Sequence, residues 1–315
     1  MQQEEPLTVV VCGEFKRGKS SLINAILGED VVTTDITTET ITINKICYGE
    51  HSNEIILSGG KRMRLKDEEL KSEKLQDILQ NSTKGSNQLL LKRPIELLKD
   101  VTIIDTPGLG DRLADFSDDV EKALRMADAV IYVFSVSYPL STQEQYFIKT
   151  NIVPQKYTDL ILVGNYADVI ECEEDYQKVQ ETVKNRIADI IPDIEPIFLS
   201  ALDERCKQLE QKRPNTQIQK ILEGNFINLR NKFNSLLDEK AEYVIPDRIK
   251  RLLDAMLADL QRDLFAIEQG LTLDSEQMQE KIEAIKNSKN ERGIKQTEIF
   301  DMIDRKCEVY RANSV

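Results

Sequence analysis

The sequence predicts an α/β domain, a mostly parallel β-sheet flanked by helices, followed by an α-helical neck or bundle segment. Three observations predict it. Short apolar, β-branched runs recur along the chain with helical or loop-like segments between them. A glycine-bearing loop joins the first of these runs to an apolar helical stretch. Beyond residue 245 the pattern changes to single apolar stripes at helical spacing.

The runs at 7–12, 101–105, 129–136, 159–164 and 195–200 read as buried strands, since a strand covered on both faces carries a near-continuous apolar run. Helix-like segments between them imply crossover connections and hence parallel pairing. Residues 41–48 and 53–57 flank Gly49, Glu50, His51 and Ser52 and predict an antiparallel hairpin at the sheet edge. His51, the single histidine, falls in that turn and reads as a surface residue, because it has no partner for a triad or a metal site. The charged stretch 67–80 predicts an inserted surface helix.

Phe226, Leu229, Phe233, Leu236 and Leu237 share one helical face before Pro246 interrupts the chain, which places a domain boundary between 1–245 and 246–315. Then Ile249, Leu252, Leu253, Met256, Leu257, Leu260, Leu264 and Ile267 form a long stripe. Two shorter ones follow, Met278, Ile282, Ile285 and Ile299, Met302, Ile303, Tyr310. A single-stripe helix must bury that stripe. Either these helices pack on themselves as a small bundle or stalk, or they form a lever or partner-binding surface.

The 315 residues carry 42 basic and 55 acidic side chains, a net charge of -13, which argues against a surface built to coat nucleic acid or anionic lipid. Cys12, Cys47, Cys172, Cys206 and Cys307 are scattered without a CxxC pair, so neither a disulfide framework nor a zinc site is suggested, and a cytoplasmic setting fits. No apolar run approaches the ~20 residues of a spanning helix, and residues 1–11 lack the segments of a signal peptide. Membrane contact would therefore be peripheral, or made by sequence outside this chain.

Gly13-Glu14-Phe15-Lys16-Arg17-Gly18-Lys19-Ser20 matches G-x-x-x-x-G-K-[ST] between a strand and the helix that opens with Ser21. Such a loop turns its amides toward phosphate, with a helix N-terminus behind them. Lys19 would bridge the β- and γ-phosphates, and Ser20 would offer its hydroxyl to Mg2+. Asp105-Thr106-Pro107-Gly108 ends the strand at 101–105. Asp105 would hold the metal through water, Gly108 would give its amide to the γ-phosphate, and 109–118 would be a loop ordered by that phosphate.

Asn165-Tyr166-Ala167-Asp168 has the N-x-x-D spacing of guanine readers. The Asp168 carboxylate can accept from guanine N1–H and its exocyclic amine, donors that adenine lacks in that arrangement. Ser200-Ala201 sits where a backbone N–H meets the guanine O6. Tyr166 departs from the usual lysine, which puts guanine selectivity in question while leaving a ring able to stack on the base. Thr33, Thr34, Thr37, Thr38, Thr40 and Thr42 crowd the segment after Gly28, and one of them should close on metal and attacking water: Thr40 first, Thr38 next.

With these motifs in order, the sequence resembles the dynamin superfamily of large GTPases, most closely its bacterial dynamin-like members. The resemblance covers residues 7 to about 245 and rests on GEFKRGKSSLINAILG, DTPGLGD and AD-AVIYVFSVSYPLSTQE. It implies GTP hydrolysis with Mg2+, a GTP-dependent homodimer or paralogue heterodimer of G domains, a helical neck that transmits the switch, and membrane remodelling. Dynamin proper has serine where this chain has Lys16, and that serine helps hold a monovalent cation. Atlastins and guanylate-binding proteins place a catalytic arginine there, so Lys16, or Arg17 beside it, would do the cation's electrostatic work. A solvated lysine is the other reading. No long stalk, paddle or amphipathic tip is legible after Leu264, which reads as a fragment of something longer. The competing class is a regulatory switch GTPase with a protein or ribosomal partner, although the tail lacks the basic, glycine-punctuated character of an RNA-binding module.

Overall fold

The structure, a computed structural model, describes residues 6–33, 43–57, 60–70, 87–108, 118–155, 157, 159–238 and 245–270. Its strands are β1 (Leu7–Cys12), β2 (Ile43–Tyr48), β3 (Ser52–Ile56), β4 (Arg62–Leu65), β5 (Gln88–Arg93), β6 (Val101–Asp105), β7 (Ala129–Ser135), β8 (Asp159–Asn165) and β9 (Ile197–Phe198). They form one nine-stranded sheet in the order β4-β3-β5-β2-β6-β1-β7-β8-β9. From β6 to β9 every pairing is parallel. The β2–β5 pair is also parallel, but it is joined to β6 in the antiparallel sense, and β3 and β4 continue antiparallel outward.

The central strands show why the apolar runs are continuous. Along β1, Leu7, Val9 and Val11 face one core while Val10 and Cys12 face the other; along β7, Ala129, Ile131 and Val133 oppose Val130, Tyr132 and Phe134. Successive strand residues point to opposite faces, so a sheet covered on both sides needs apolar residues at every position. The first core is closed by Leu22, Ile23 and Ile26 of α1 (Lys19–Leu27) and by Phe226, Leu229, Phe233 and Leu236 of α7 (Gln219–Asp238). The second is closed by Val120 and Leu124 of α3 (Asp118–Met126), Phe147 of α4 (Thr142–Phe147), and Tyr176, Val183 and Ile187 of α5 (Glu173–Ile187).

The hairpin expected at 41–57 does not form. β5 runs between β2 and β3 and pairs with both, and β6 covers the other edge of β2, so β2 lies inside the sheet. Arg93, a residue that suggests a surface, is 5% exposed at the end of β5 and donates to Asn53 Oδ1 at 2.8 Å, a contact between β5 and β3. At the other edge β9 is only two residues long, because Pro196 has no N–H for the ladder. Of the helix expected at 67–80, α2 (Asp67–Leu70) is seen, and the rest lies outside the described residues. His51 is exposed in its turn, but its Nε2 lies 3.0 Å from the Asp67 carboxylate.

The chain separates into two compact units, Glu5–Arg248 and a second that begins at Ile249. The helix α8 (Ile245–Gly270) starts within the first. Pro246 begins this helix rather than interrupting the chain, since a proline in the first turn gives up an N–H that has no helical acceptor. Among its stripe residues Leu252 is buried, whereas Leu253, Leu257, Leu260 and Leu264 are 44% to 65% exposed. The stripes beyond residue 270 lie outside the described residues. No described helix is long and apolar enough to cross a membrane.

Candidate functional site

The predicted site residues that the structure describes gather at the carboxyl ends of β1, β6 and β8, where strands of a parallel sheet hand over to loops. After Cys12 the chain passes through Gly13 and Glu14 to Phe15, Lys16 and Arg17, and re-enters helix at Lys19, with Gly18 as the cap at φ 79°. Lys19 is buried, and its ammonium donates to the carbonyls of Gly13 at 3.1 Å and Glu14 at 2.9 Å. Burial pulls its pKa down while the nearby Asp105 carboxylate opposes the shift. Cys12, directly before the loop, is pushed up by burial to about 12 and stays a neutral thiol. Ser21 is half-buried in the first turn of α1.

Asp105 ends β6 opposite Val11 of β1. Its Oδ2 accepts from Ser20 Oγ at 3.1 Å and from Asn44 Nδ2 at 3.2 Å. Its Oδ1 is buried and has no partner among the described residues, and the same holds for Asn44 Oδ1. Burial raises the Asp105 pKa, and the Lys19 ammonium counters it. An all-oxygen set with an unsatisfied carboxylate oxygen fits a hard cation such as Mg2+. Thr106 latches the strand end to β1, its Oγ1 donating to the Val11 carbonyl at 3.1 Å. Gly108 packs on the phosphate loop so closely that a Cβ there would stand 2.5 Å from Phe15 Cα. Only glycine fits.

Asn165, fully buried at the end of β8, joins three segments. Its Nδ2 donates to the Arg17 carbonyl at 3.1 Å, and its Oδ1 accepts from the Ala201 amide at 3.0 Å. Of the Ser200-Ala201 pair expected to supply an N–H to the base, the Ala201 N–H is thus already engaged by Asn165. Ser200 caps α6 (Ala201–Gln208), its hydroxyl accepting from the Asp203 amide at 3.0 Å. Tyr166 is held at φ 65°, an unusual backbone for an aromatic residue, and its hydroxyl donates to the Lys16 carbonyl at 3.1 Å. Asp168 Oδ1 is buried without a partner among the described residues, an acceptor of the kind a guanine edge needs.

The two loop cations differ. Arg17 pairs with Glu14 and, at 3.2 Å, with the fully buried carboxylate of Glu144. Glu144 also accepts from the Ser141 amide at 2.7 Å and belongs to the capping box that starts α4. Burial raises the Glu144 pKa, opposed by the Ser141 amide and by Arg17. Lys16, at φ 58°, is exposed, with its ammonium 5.4 Å from the Phe15 ring centroid.

Thr34, Thr37, Thr38, Thr40 and Thr42, and the loop at 109–117, lie outside the described residues. The start of the threonine-rich segment is anchored. Asn24 accepts from the amides of Val31 and Val32 at 3.0 and 2.9 Å, and Arg205 pairs with Asp30 at 2.7 Å. Sequence reasoning missed Asn24, Asn44 and Glu144. Ser141 and Glu144 carried a legible signal, the S-x-x-E of a capping box. The other two depend on contacts between distant segments and left none.

Compared with known families, residues 9–167 match the dynamin family, whose members are GTPases. The chain is 28% identical over 183 residues to a probable chloroplastic transmembrane GTPase, FZO-like, of Arabidopsis thaliana, covering 58% of this chain and 18% of that protein. It is 25% identical over 202 residues to a bacterial dynamin-like protein of Nostoc punctiforme, covering 60% and 29%. A solved structure described as an oligomerised bacterial dynamin pair, providing a mechanism for long-range sensing and tethering of membranes, superposes with a TM-score of 0.59 at 20% identity, over 96% of this chain and 48% of that one. The chain therefore spans less than half the length of each of these relatives. With the family match covering half of its residues and the nine-stranded sheet carrying its motifs, this chain belongs to the dynamin family, and its α/β unit is a dynamin-type GTPase domain.

Proposed function

We propose that this chain binds GTP with Mg2+ and hydrolyses it, in a cycle that pairs G domains across the nucleotide and drives the helical segment of the intact protein at a membrane surface. The observation that carries the nucleotide reading is Asn165, whose one buried amide ties the phosphate loop to the Ser200-Ala201 turn and makes a single site of separate motifs. In this reading the amides of 14–20 and the Lys19 ammonium take the β- and γ-phosphates, and Lys19 exchanges its carbonyl partners for phosphate oxygens. Ser20 and Asp105, with a threonine at 38 or 40, would hold Mg2+, which when bound supplies positive charge to the phosphate oxygens. Gly108 gives its amide to the γ-phosphate, and Asp168 reads the guanine edge. Lys16, exposed on the loop, would meet charge that builds between the β- and γ-phosphates.

The domain limits 1–245 and 246–315, and a homodimer or paralogue heterodimer with peripheral membrane association, belong to the same proposal. The membrane part draws on the membrane-acting relatives, and the net charge of -13 speaks against a nucleic-acid partner. Calorimetry with GTP, GDP and ATP tests the nucleotide reading. GTP should bind and ATP should not, Lys19→Ala should lose binding, and Asp168→Asn should trade GTP for xanthosine triphosphate, whose C2 carbonyl needs a donor. Near-normal GTP affinity in Lys19→Ala would remove the phosphate-loop assignment, and equal ATP affinity would remove the guanine one.

A further inference from the structure

Asn44 stands directly opposite Asp105 in the antiparallel β2–β6 pair, so the two side chains leave the sheet on the same face. The amide nitrogen donates to Asp105 Oδ2 at 3.2 Å. This fixes which way the amide points, since the opposite orientation would set its oxygen against a carboxylate oxygen. Asn44 Oδ1 and Asp105 Oδ1 are then two buried acceptors, neither with a partner among the described residues, beside the Ser20 hydroxyl that also reaches Asp105. Buried polar atoms are nearly always paired, and two neighbouring orphan acceptors need donors. A hydrated cation brings them. Mg2+ keeps several of its waters when protein carboxylates bind it, and acceptors around those waters set their orientation.

We propose that Asn44 is a positioning residue of the metal site: its nitrogen steers Asp105, and its Oδ1 accepts from a water on the ion. The carboxamide meets both demands with one side chain. Aspartate would lose the donor and set a second negative charge against Asp105; leucine would fill the space but offer nothing to water. Because β2 directly follows the threonine-rich segment, the same amide ties the start of that strand to the metal. The inference rests on the reading that this site holds Mg2+.

The test uses the full chain loaded with a fluorescent GDP, with Mn2+ as a paramagnetic probe and Mg2+ as competitor. Asn44→Ala and Asn44→Leu should weaken metal affinity about 10- to 100-fold, the range typical for lost outer-shell partners. GDP affinity in the presence of EDTA should stay at the unmodified value in both, which a merely structural role would not predict. The leucine variant keeps the volume, so the outcome does not hang on a cavity left by alanine. Asp105→Ala serves as reference. If it weakens the metal and both Asn44 variants do not, the positioning role is wrong. If Asp105→Ala leaves metal affinity unchanged as well, the Mg2+ reading falls and this proposal with it.

Discussion

Lys16 and Arg17 are neighbours of like charge with different surroundings, and the difference separates their roles. Arg17 is committed to Glu14 and Glu144, and the Glu144 side chain is fully buried. Removing the guanidinium would leave a buried carboxylate without its cation. Arg17→Ala should therefore lower the denaturant midpoint, by roughly 1.5–3 kcal/mol of stability, the range for hydrogen bonds to charged groups. Lys16 makes no such commitment and takes a left-handed backbone held by the Tyr166 hydroxyl. Lys16→Ala should cut turnover about 10²–10³-fold, as when one preorganised charge is lost from a transition state, with GTP affinity retained. Single-turnover hydrolysis and calorimetry on both variants check this, and unchanged turnover in Lys16→Ala would return the charge to a solvent cation or a dimer partner. The glycines, Lys19, Ser20 and Asp105 were legible because their chemistry is local and their spacing fixed. That Arg17 is tied down was not, since Glu144 lies far along the chain and meets the loop only through the fold.

At the scale of elements, the same limit explains the hairpin. Two strands close in sequence suggested pairing, but β5 supplies ladder hydrogen bonds to both and was hidden by the Lys92-Arg93 end of its pattern. The central strands were read correctly because burial on both faces writes itself into composition. A further non-local contact lies within the α/β unit, at the first turn of α8. Arg248, in the first turn of α8, pairs with Asp128 at 3.0 Å, and the two side chains are 3% and 1% exposed. Asp128 Oδ2 also accepts from the Thr8 amide at 2.7 Å, at the amino end of β1 and opposite the phosphate loop. Losing one member of a buried ion pair is strongly destabilising, so Asp128→Ala should cost about 3–5 kcal/mol, and an apolar pair such as Asp128→Leu with Arg248→Met should recover much of it. Denaturation of the single and double variants measures both quantities. A single-variant loss of the size of an exposed pair, about 0–1 kcal/mol, would show that the pair contributes little to the α/β unit.

For the whole molecule, the distribution of exposed apolar residues bears on the choice between a mechanochemical enzyme and a regulatory switch. Phe15, Val169 and Leu202 are 43%, 57% and 54% exposed; Phe15 lies within the phosphate loop, and the other two directly follow the Asp168 segment and the Ser200-Ala201 turn. A lone switch that meets its partner elsewhere gains nothing from three large apolar side chains beside its nucleotide; a domain that pairs with a second copy across that nucleotide does, since buried interface cores favour apolar and aromatic residues. Light scattering should therefore find the chain smaller with GDP, and associated with GTP or with GDP and aluminium fluoride. Val169→Glu and Leu202→Glu together should suppress the association while leaving GDP affinity of the single chain in place, because their side chains face solvent rather than core. Lipid vesicles added to the same samples separate pairing from membrane contact. A particle of one size in every nucleotide state would instead favour the regulatory switch, and the exposed leucines of α8 would then be the surface on which to seek its partner.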